Sequence, residues 1–295
     1  LVRSRGLGDV YKRQDLPLKG FIVFYQNQKR EYFYYHINRL NLWDKLLHRG
    51  MEKELEKKWE NISELLAQVG SNLNILEEEV DIKVQKEYFN LAKMLSTNAE
   101  KYQILCKQYL EQINDLYDET LPLDKKKEML VILGTLDDIS VYRAIESFSK
   151  SEGALQKWAI IALQQSRMLI QSGLLDDPGI FISTGLGGQG SLLRYFCVFL
   201  HRTDEQLQEF QQRIIQDEIE TALAPLKGII EQIDFYKSYS TSLLLLPLDT
   251  NLKKTFETII NECNLYGNFL HENMIITNVK KLSEQEILTI LHKKN

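Results

Sequence analysis

Four glycines fall within six residues between positions 185 and 190, and this cluster constrains the fold more than any other feature of the chain. Glycine is used where the backbone needs a positive φ angle or must approach another group closely. Two apolar runs, residues 179–182 and 192–200, flank the cluster and are typical of buried strands. The cluster therefore predicts either a tight turn between two strands or a cradle for a ligand.

The candidate ligand site is built around this glycine segment. A cradle for an anionic, phosphate-like group needs backbone N–H groups that converge on it. The glycine spacing is GxGGxG, which matches neither GxxxxGK[ST] nor GxGxxG, and the segment contains no lysine. We expect a hairpin turn, with an anion cradle or a protein-contact loop as alternatives. The residues of the anion-binding alternative are Thr184, Gly185, Gly187, Gly188, Gly190, Ser191, Arg194 and Arg202.

Candidate catalytic residues are few. Ser183 and Thr184 supply hydroxyls at the mouth of the glycine segment, and His201 ends the second apolar run. No GxSxG motif surrounds a serine, and the sequence identifies no carboxylate that would orient the histidine. We predict His201 at the surface, at the end of a strand, and Cys197 as a small apolar side chain inside. No catalytic residue is assigned.

Composition is that of a folded intracellular protein. The 295 residues are enough for two domains, 44% of them are hydrophobic, and no apolar run approaches the length of a membrane-spanning helix. Three dispersed cysteines argue against a disulfide framework, and the five histidines lack metal-ligand spacing. We expect a cytoplasmic location and neither a metal nor another cofactor.

The first fifty residues differ in character from the rest. Residues 1–14, LVRSRGLGDVYKRQ, resemble a translated sequencing-adapter fragment, and residues 15–50 are rich in Phe, Tyr, Asn, Lys and Leu with little periodicity. We expect the native protein to start at Met51, with residues 1–50 a non-native leader. The alternative is that residues 21–25 and 32–35 form a genuine hairpin.

The charge of the chain limits its partners. Residues 1–50 hold ten of the 36 Lys and Arg residues and four of the 41 Asp and Glu residues, so the remainder has 26 basic and 37 acidic side chains and a formal charge of −11. A net negative charge repels phosphate backbones. We therefore expect neither nucleic acid nor a membrane as a partner.

Residues 51–175 carry helical periodicity. Apolar residues recur at spacings of three and four over 55–69, again over 73–95, and most clearly from about 98 to 117. Because amphipathic helices bury their apolar faces only by packing on other elements, these segments predict a helical domain.

The last part of this region, residues 124–171, resembles a HEAT-type helical repeat. It combines a helix ending near Leu133-Gly134, a turn at Asp137-Asp138, a helix over 141–148, and a third helix that carries Trp158. The resemblance implies stacked helical hairpins that act as a protein-binding scaffold. A solenoid needs about three units, so a short array and a simple bundle both stay open.

Residues 176–295 predict an α+β domain with a mixed sheet. A turn signal at residues 176–179 marks the expected boundary, and Pro225 and Gly228 are expected to bend or split one long helix. The predicted order is ββαβαβα, which suggests a layered sheet covered by helices. The predicted elements are strands 180–182 and 192–200, a helix 203–233, strand 241–246, helix 251–265, strand 274–279 and helix 283–291.

The sequence thus favours a cytoplasmic bacterial protein whose helical domain binds another protein, with the α+β domain as a second interaction or regulatory module. No reaction is assigned. The alternative is an enzyme or small-ligand-binding protein that holds an anionic group in the glycine segment, with Arg194 and Arg202 neutralising its charge.

Overall fold

The computed structural model of the chain describes residues 21–26, 32–37, 73–175 and 180–292. The adapter-like residues 1–14, the helix predicted over residues 55–69 and the turn at residues 176–179 lie outside this part of the chain. In the described residues the protein is a mixed helix-and-sheet structure, which confirms the α+β class.

Two sheets and two groups of helices make up the fold. In chain order the strands are β1 (Phe21–Gln26), β2 (Tyr32–Ile37), β3 (Leu73–Ile75), β4 (Ile180–Ser183), β5 (Gly188–Gln189), β6 (Leu192–His201), β7 (Ile229–Phe235), β8 (Tyr239–Pro247) and β9 (Leu270–Thr277). The helices are α1 (Ile82–Ser96), α2 (Ala99–Glu111), α3 (Leu123–Leu133), α4 (Ile139–Ser149), α5 (Gln156–Leu175), α6 (Glu209–Leu223), α7 (Leu252–Asn264) and α8 (Glu284–His292). Short 3₁₀ helices cover Ile113–Tyr117 and Ala224–Leu226.

Helices α1 to α5 pack around one apolar core. Tyr88 of α1 is fully buried there, donates a hydrogen bond to the Gln165 side chain at 2.9 Å, and lies with its ring centroid 5.6 Å from that of Trp158. The predicted helix over 98–117 ends at Glu111 and is followed by a 3₁₀ turn. Helices α3, α4 and α5 occupy the HEAT-like segment, but the resemblance itself stays a prediction.

The first sheet has the strand order β2-β1-β4-β3. Strand β3 is parallel to β4, and residues 76–80 continue from it as extended chain, so the helix predicted from residue 73 is wrong before residue 82. The backbone amides of Leu76 and Val80 donate to the carbonyls of Ile182 and Gly185. Pairing with a segment about a hundred residues away therefore overrides the local helical spacing of apolar residues.

Strands β1 and β2 lie within the segment expected to be a non-native leader. They form an antiparallel hairpin, as in the alternative given for these residues, and β1 pairs with β4 from Ile22 to Tyr25. Whether residues 1–50 belong to the native protein stays a prediction, because strand pairing does not test the origin of a segment.

The second sheet has the order β9-β6-β8-β7, with β5 beside the start of β6. Each of these pairs is antiparallel, so the mixed sheet predicted for this part of the chain is wrong. Together with α6 and α7, these strands form the βαββαβ unit of ferredoxin-like domains. Both helices cover one face of the sheet, where Phe256 of α7 packs against Phe199 of β6.

The long helix predicted over residues 203–233 is wrong in its second half. Helix α6 ends at Leu223, and after the 3₁₀ turn the chain continues as strand β7. Lys227 has a φ angle of 55°, in the left-handed region, and Gly228 follows it. A left-handed residue ends a helix, so α6 is split off at this turn, one of the two outcomes expected here, but the chain beyond it is a strand and not a second helix.

The predicted boundary at residues 176–179 falls where α5 leads into β4, and β4 serves both apolar cores. Phe181 belongs to the core of α1 to α5, whereas Ile182 belongs to the core beneath α6 and α7. A strand whose two faces are both covered is apolar along its length. Among the described residues, no helix is long and apolar enough to cross a membrane.

The cap of α4 provides a test of the local structure. The Asp138 carboxylate accepts hydrogen bonds from Ser140, through both its hydroxyl and its amide at 2.7 Å, and from the Val141 amide. These bonds hold the pKa of Asp138 below its usual value. We expect Asp138→Ala to lower the free energy of unfolding by about 1 kcal/mol at pH 7.

The sign of the pH dependence follows from that lowered pKa. The contribution of Asp138 is complete above the pKa of the unfolded chain and disappears as the pH falls through the lower pKa of the folded protein. Urea unfolding at pH 7 and at pH 3 measures the difference, with Asp137→Ala, which removes an exposed neighbour that is not the cap, as the control. Equal losses for both variants would contradict the cap.

Candidate functional site

The glycine segment connects two sheets. Strand β4 belongs to the first sheet and β6 to the second, so the predicted hairpin between these two strands is wrong. The hairpin that does form joins β5 to β6, and it turns at Gly190 and Ser191. The segment is thus a crossing point between two parts of the fold.

Two of the glycines lie where a distant stretch of backbone approaches closely. A Cβ atom on Gly185 would lie 1.7 Å from the carbonyl oxygen of Val279, and one on Gly187 would lie 2.3 Å from that of Glu77. Gly187 also has a φ angle of 72°. Side chains do not fit at such distances, so these positions require glycine for packing.

Hydrogen bonds tie the crossing backbones together. The amides of Leu186 and Gly188 donate to the carbonyls of Asn278 and Glu77 at 3.0 and 3.2 Å. The Gly190 amide donates to the Glu77 carboxylate at 3.0 Å. We call residues 76–80, 184–190 and 278–279 the junction. Amide groups that an anion would need are bonded here to acceptors of the chain itself.

Two side chains complete the junction from inside. Gln85 is fully buried, and its Nε2 donates to the carbonyls of Val80 and Thr184 at 2.7 and 2.9 Å. The Ser183 hydroxyl donates to Oε1 of Gln85 at 2.6 Å, and the Thr184 hydroxyl donates to the carbonyl of Gly187 at 3.1 Å. Both hydroxyls that were expected at the mouth of the glycine segment are therefore hydrogen-bonded to groups of the protein itself.

Arg194 closes the junction from outside. Its guanidinium forms a two-pronged ion pair with Glu231, with one bond of 2.8 Å, and donates to the carbonyls of Leu186 and Glu77 at 2.8 and 3.2 Å. The hydrogen bonds to Glu231 raise the pKa of Arg194. Its charge is thus compensated by a carboxylate of the same chain.

The structure brings only some of the predicted anion-binding residues close together. Ser191 is exposed at the tip of the β5–β6 turn, close in sequence to the junction. Arg202 lies eight residues beyond Arg194 along the extended β6, a separation of about 26 Å, and its Nε donates to the carbonyl of Leu270 at 2.9 Å. The anion cradle stays a prediction, and Arg202 lies apart from it.

His201 and Cys197 lie in the interior. The prediction of a surface position for His201 is wrong: its side chain is buried, and its Nδ1 lies 3.1 Å from the carbonyl oxygen of Lys237. Burial lowers the pKa of His201. Cys197 packs with Tyr195 and Phe199, as predicted, and burial raises the pKa of its thiol.

A cleft lies on the other face of the second sheet, away from α6 and α7. Helix α8 and Leu186 cover part of this face, where they pack on Phe196 and Leu243. Between α8 and the β7–β8 hairpin there remains a cavity of about 280 Å³. It is lined by Phe196, Gln232, Asp234, Tyr236, Tyr239, Thr241, Ser242, Leu243, Lys281, Leu282, Glu284 and Ile287. We call this cavity the sheet-face cleft.

Two tyrosines form one wall of the sheet-face cleft. The rings of Tyr236 and Tyr239 stack with centroids 4.7 Å apart and planes inclined by 24°. Tyr239 is 3% exposed and Tyr236 is 43% exposed. Burial, followed by the charge of Glu284, raises the pKa of Tyr239, so its phenol group stays protonated at neutral pH.

Polar groups of the cleft converge beside these rings. Thr241 is 5% exposed and lines the cavity, and in the described residues neither its hydroxyl nor that of Tyr239 has a hydrogen-bond partner in the protein. The Asp234 carboxylate accepts a hydrogen bond of 2.8 Å from the Gln232 amide. A concave apolar site with a few convergent polar groups is the usual form of a ligand site.

Sequence reasoning missed the sheet-face cleft because β7 was predicted as helix. Gln232 and Asp234 share a face only in a strand, where alternate residues point the same way. Pro225 and Gly228 indicate a bend or a split in the helix, but they do not show that a strand follows.

Comparison with known proteins adds little. No protein-family model and no curated protein matches the sequence. One solved structure, a candidate transposase from Deinococcus radiodurans R1, is similar to 35% of this chain and 88% of its own, with 10% identity and a TM-score of 0.28. A similarity of that extent supports no argument about fold or function.

The close approach at the junction gives a direct test. Gly185→Ala places a methyl group against the Val279 carbonyl, and we expect it to lower the free energy of unfolding by about 3 kcal/mol or more. The matched control is Gly153→Ala, where nothing lies within 4 Å and the change should stay within about 1 kcal/mol. Urea unfolding compares the two, and similar stabilities would show that the crossing is looser than described.

Proposed function

We propose that this protein is a regulatory binding protein that takes a small molecule in the sheet-face cleft. The observation that carries the proposal is that Tyr239 and Thr241, two buried residues, line the cavity and have hydroxyls without a protein partner in the described residues. Ligand sites use a few polar groups that converge on a cavity to orient the bound molecule. A ligand would supply the partner that the protein does not.

The cleft is better suited to a ligand than the glycine segment. In the junction the amides of Leu186, Gly188 and Gly190 and the guanidinium of Arg194 already bond to acceptors of the chain. An anion would have to displace several of these contacts at once, and each broken buried bond costs free energy. In the cleft the polar groups face an existing cavity.

The proposal predicts that ligands stabilise the protein and that this stabilisation depends on the residues of the cleft. We expect a thermal-shift screen of small metabolites on the full chain to yield ligands that raise the melting temperature by about 5 °C at a hundredfold excess over Kd. Tyr236→Ala and the isosteric Thr241→Val should reduce the shift. Tyr236 is partly exposed, so its replacement should leave the fold intact.

Ser191→Ala is the matched control, because Ser191 is exposed at the tip of the β5–β6 turn and outside the cleft. Its shifts should equal those of the wild type. Ligands whose effect disappears with Ser191→Ala and persists with Tyr236→Ala would assign the site to the glycine segment and overturn the proposal.

We also infer a protein partner for the helical region, as its HEAT-like segment implies. Helix α2 buries only Leu105 and Tyr109, while Ile104 on the same helix is 59% exposed. Met94, at the end of the neighbouring α1, is 64% exposed. We infer that these side chains belong to one exposed apolar patch, which is the feature that marks a protein-binding surface.

A pull-down from the source cells with matched variants tests this surface. We expect a stoichiometric partner to be recovered by the wild type and by Gln103→Glu, and to be lost with Ile104→Glu. Both variants introduce the same charge on α2, but only one of them removes an exposed apolar side chain. Recovery by both variants alike would place the partner elsewhere.

A further inference from the structure

We propose that the ligand of the sheet-face cleft is an organic cation, namely a protonated amine or guanidine attached to a flat apolar body. This inference rests on the ligand-binding function proposed above and names the chemical class of the ligand. Three features of the cleft support it: its aromatic wall, its charges and the unpartnered hydroxyls of two buried residues.

The aromatic wall suits a flat cationic ligand. Tyr236 and Tyr239 stack face to face, and Phe196, Leu243 and Ile287 provide apolar surface beside them. The faces of aromatic rings carry negative potential, and they attract cations within about 6 Å of the ring centroid. A cavity of about 280 Å³ lies at the small end of the range for ligand pockets, which suits a single ring with a short side chain.

The charges of the lining are predominantly negative. Asp234 and Glu284 contribute two carboxylates, and Lys281 contributes one exposed ammonium group. Within the described residues no Lys, Arg or His nitrogen lies within 4.0 Å of either carboxylate. The partner of Asp234 is the neutral amide of Gln232, so its carboxylate forms no ion pair within the described residues. A ligand ammonium group would form charge-assisted hydrogen bonds with these oxygens.

The hydroxyls are a second and independent indication of a bound molecule. Tyr239 and Thr241 are each more than nine-tenths buried and line the cavity. Each hydroxyl can donate one hydrogen bond and accept others, so together they accommodate an N–H donor and a polar substituent on the ligand. Burial and, after it, the negative charge of Glu284 raise the pKa of Tyr239, and both residues line the same cavity.

Three probes with the same ring separate the charge classes. Tyramine carries an ammonium group, 4-hydroxyphenylacetate carries a carboxylate, and L-tyrosine carries both. We expect calorimetric titration of the full chain to show binding of tyramine at least tenfold tighter than that of either other probe. Tyramine binding should weaken with added NaCl, because salt screens the attraction between charges.

Variants that remove a charge test whether the preference for tyramine arises in the cleft. Asp234→Asn keeps the acceptor for Gln232, and Glu284→Gln replaces an exposed side chain, so both should fold. We expect each to weaken tyramine binding about tenfold. Asp217→Asn on α6, which covers the opposite face of the sheet, removes the same charge outside the cleft and should leave binding unchanged.

Several results would overturn the inference. If L-tyrosine binds more tightly than tyramine, the ligand is a zwitterion whose carboxylate pairs with Lys281. If the protein prefers 4-hydroxyphenylacetate and Tyr236→Ala abolishes this binding, the cleft remains a ligand site, but its ligand is not a cation. If none of the three probes binds, the organic cation is rejected, while the metabolite screen with the cleft variants decides the ligand-binding function separately.

Discussion

Three stretches of backbone cross at the junction, and the rest of the structure depends on how closely they approach. Residues 76–80 lead into α1, residues 184–188 leave the first sheet, and residues 278–279 leave the second. The approach is possible only because Gly185 and Gly187 lack side chains. The glycine cluster is thus explained by contacts with the chain itself. These contacts join the helical core and both sheets into one structure.

The junction also determines where the sheet-face cleft lies. Leu186 leaves the glycine segment and packs on the same sheet face as α8, while the chain continues from Val279 to Lys281 and Glu284 at the wall of the cavity. Arg194 links the glycine segment to Glu231. Gln232, the residue that follows Glu231, lines the cavity. The junction therefore positions both walls of the cleft, although none of its own polar groups points to a ligand.

Much of the helical structure could be predicted from the sequence, because α2, α4, α7 and α8 carry local apolar spacing and capping residues such as Asn98 and Asp138. Strands β3 and β7 could not be predicted from such local signals. Strand β3 is three residues long and exists through its pairing with β4, and β7 depends on a left-handed turn at Lys227. Nor could the sequence show that β4 and β6 belong to different sheets. The cleft escaped prediction for the same reason, since its residues converge from distant strands and α8.

Native-state hydrogen exchange at the junction measures its integrity most directly. If the crossing backbones are as closely bonded as described, the amides of Val80, Leu186 and Gly188 should exchange only through global unfolding, with protection equal to that of Leu244 in the centre of the second sheet. If these amides exchange rapidly while Leu244 stays protected, the junction opens independently and the account of the fold is contradicted.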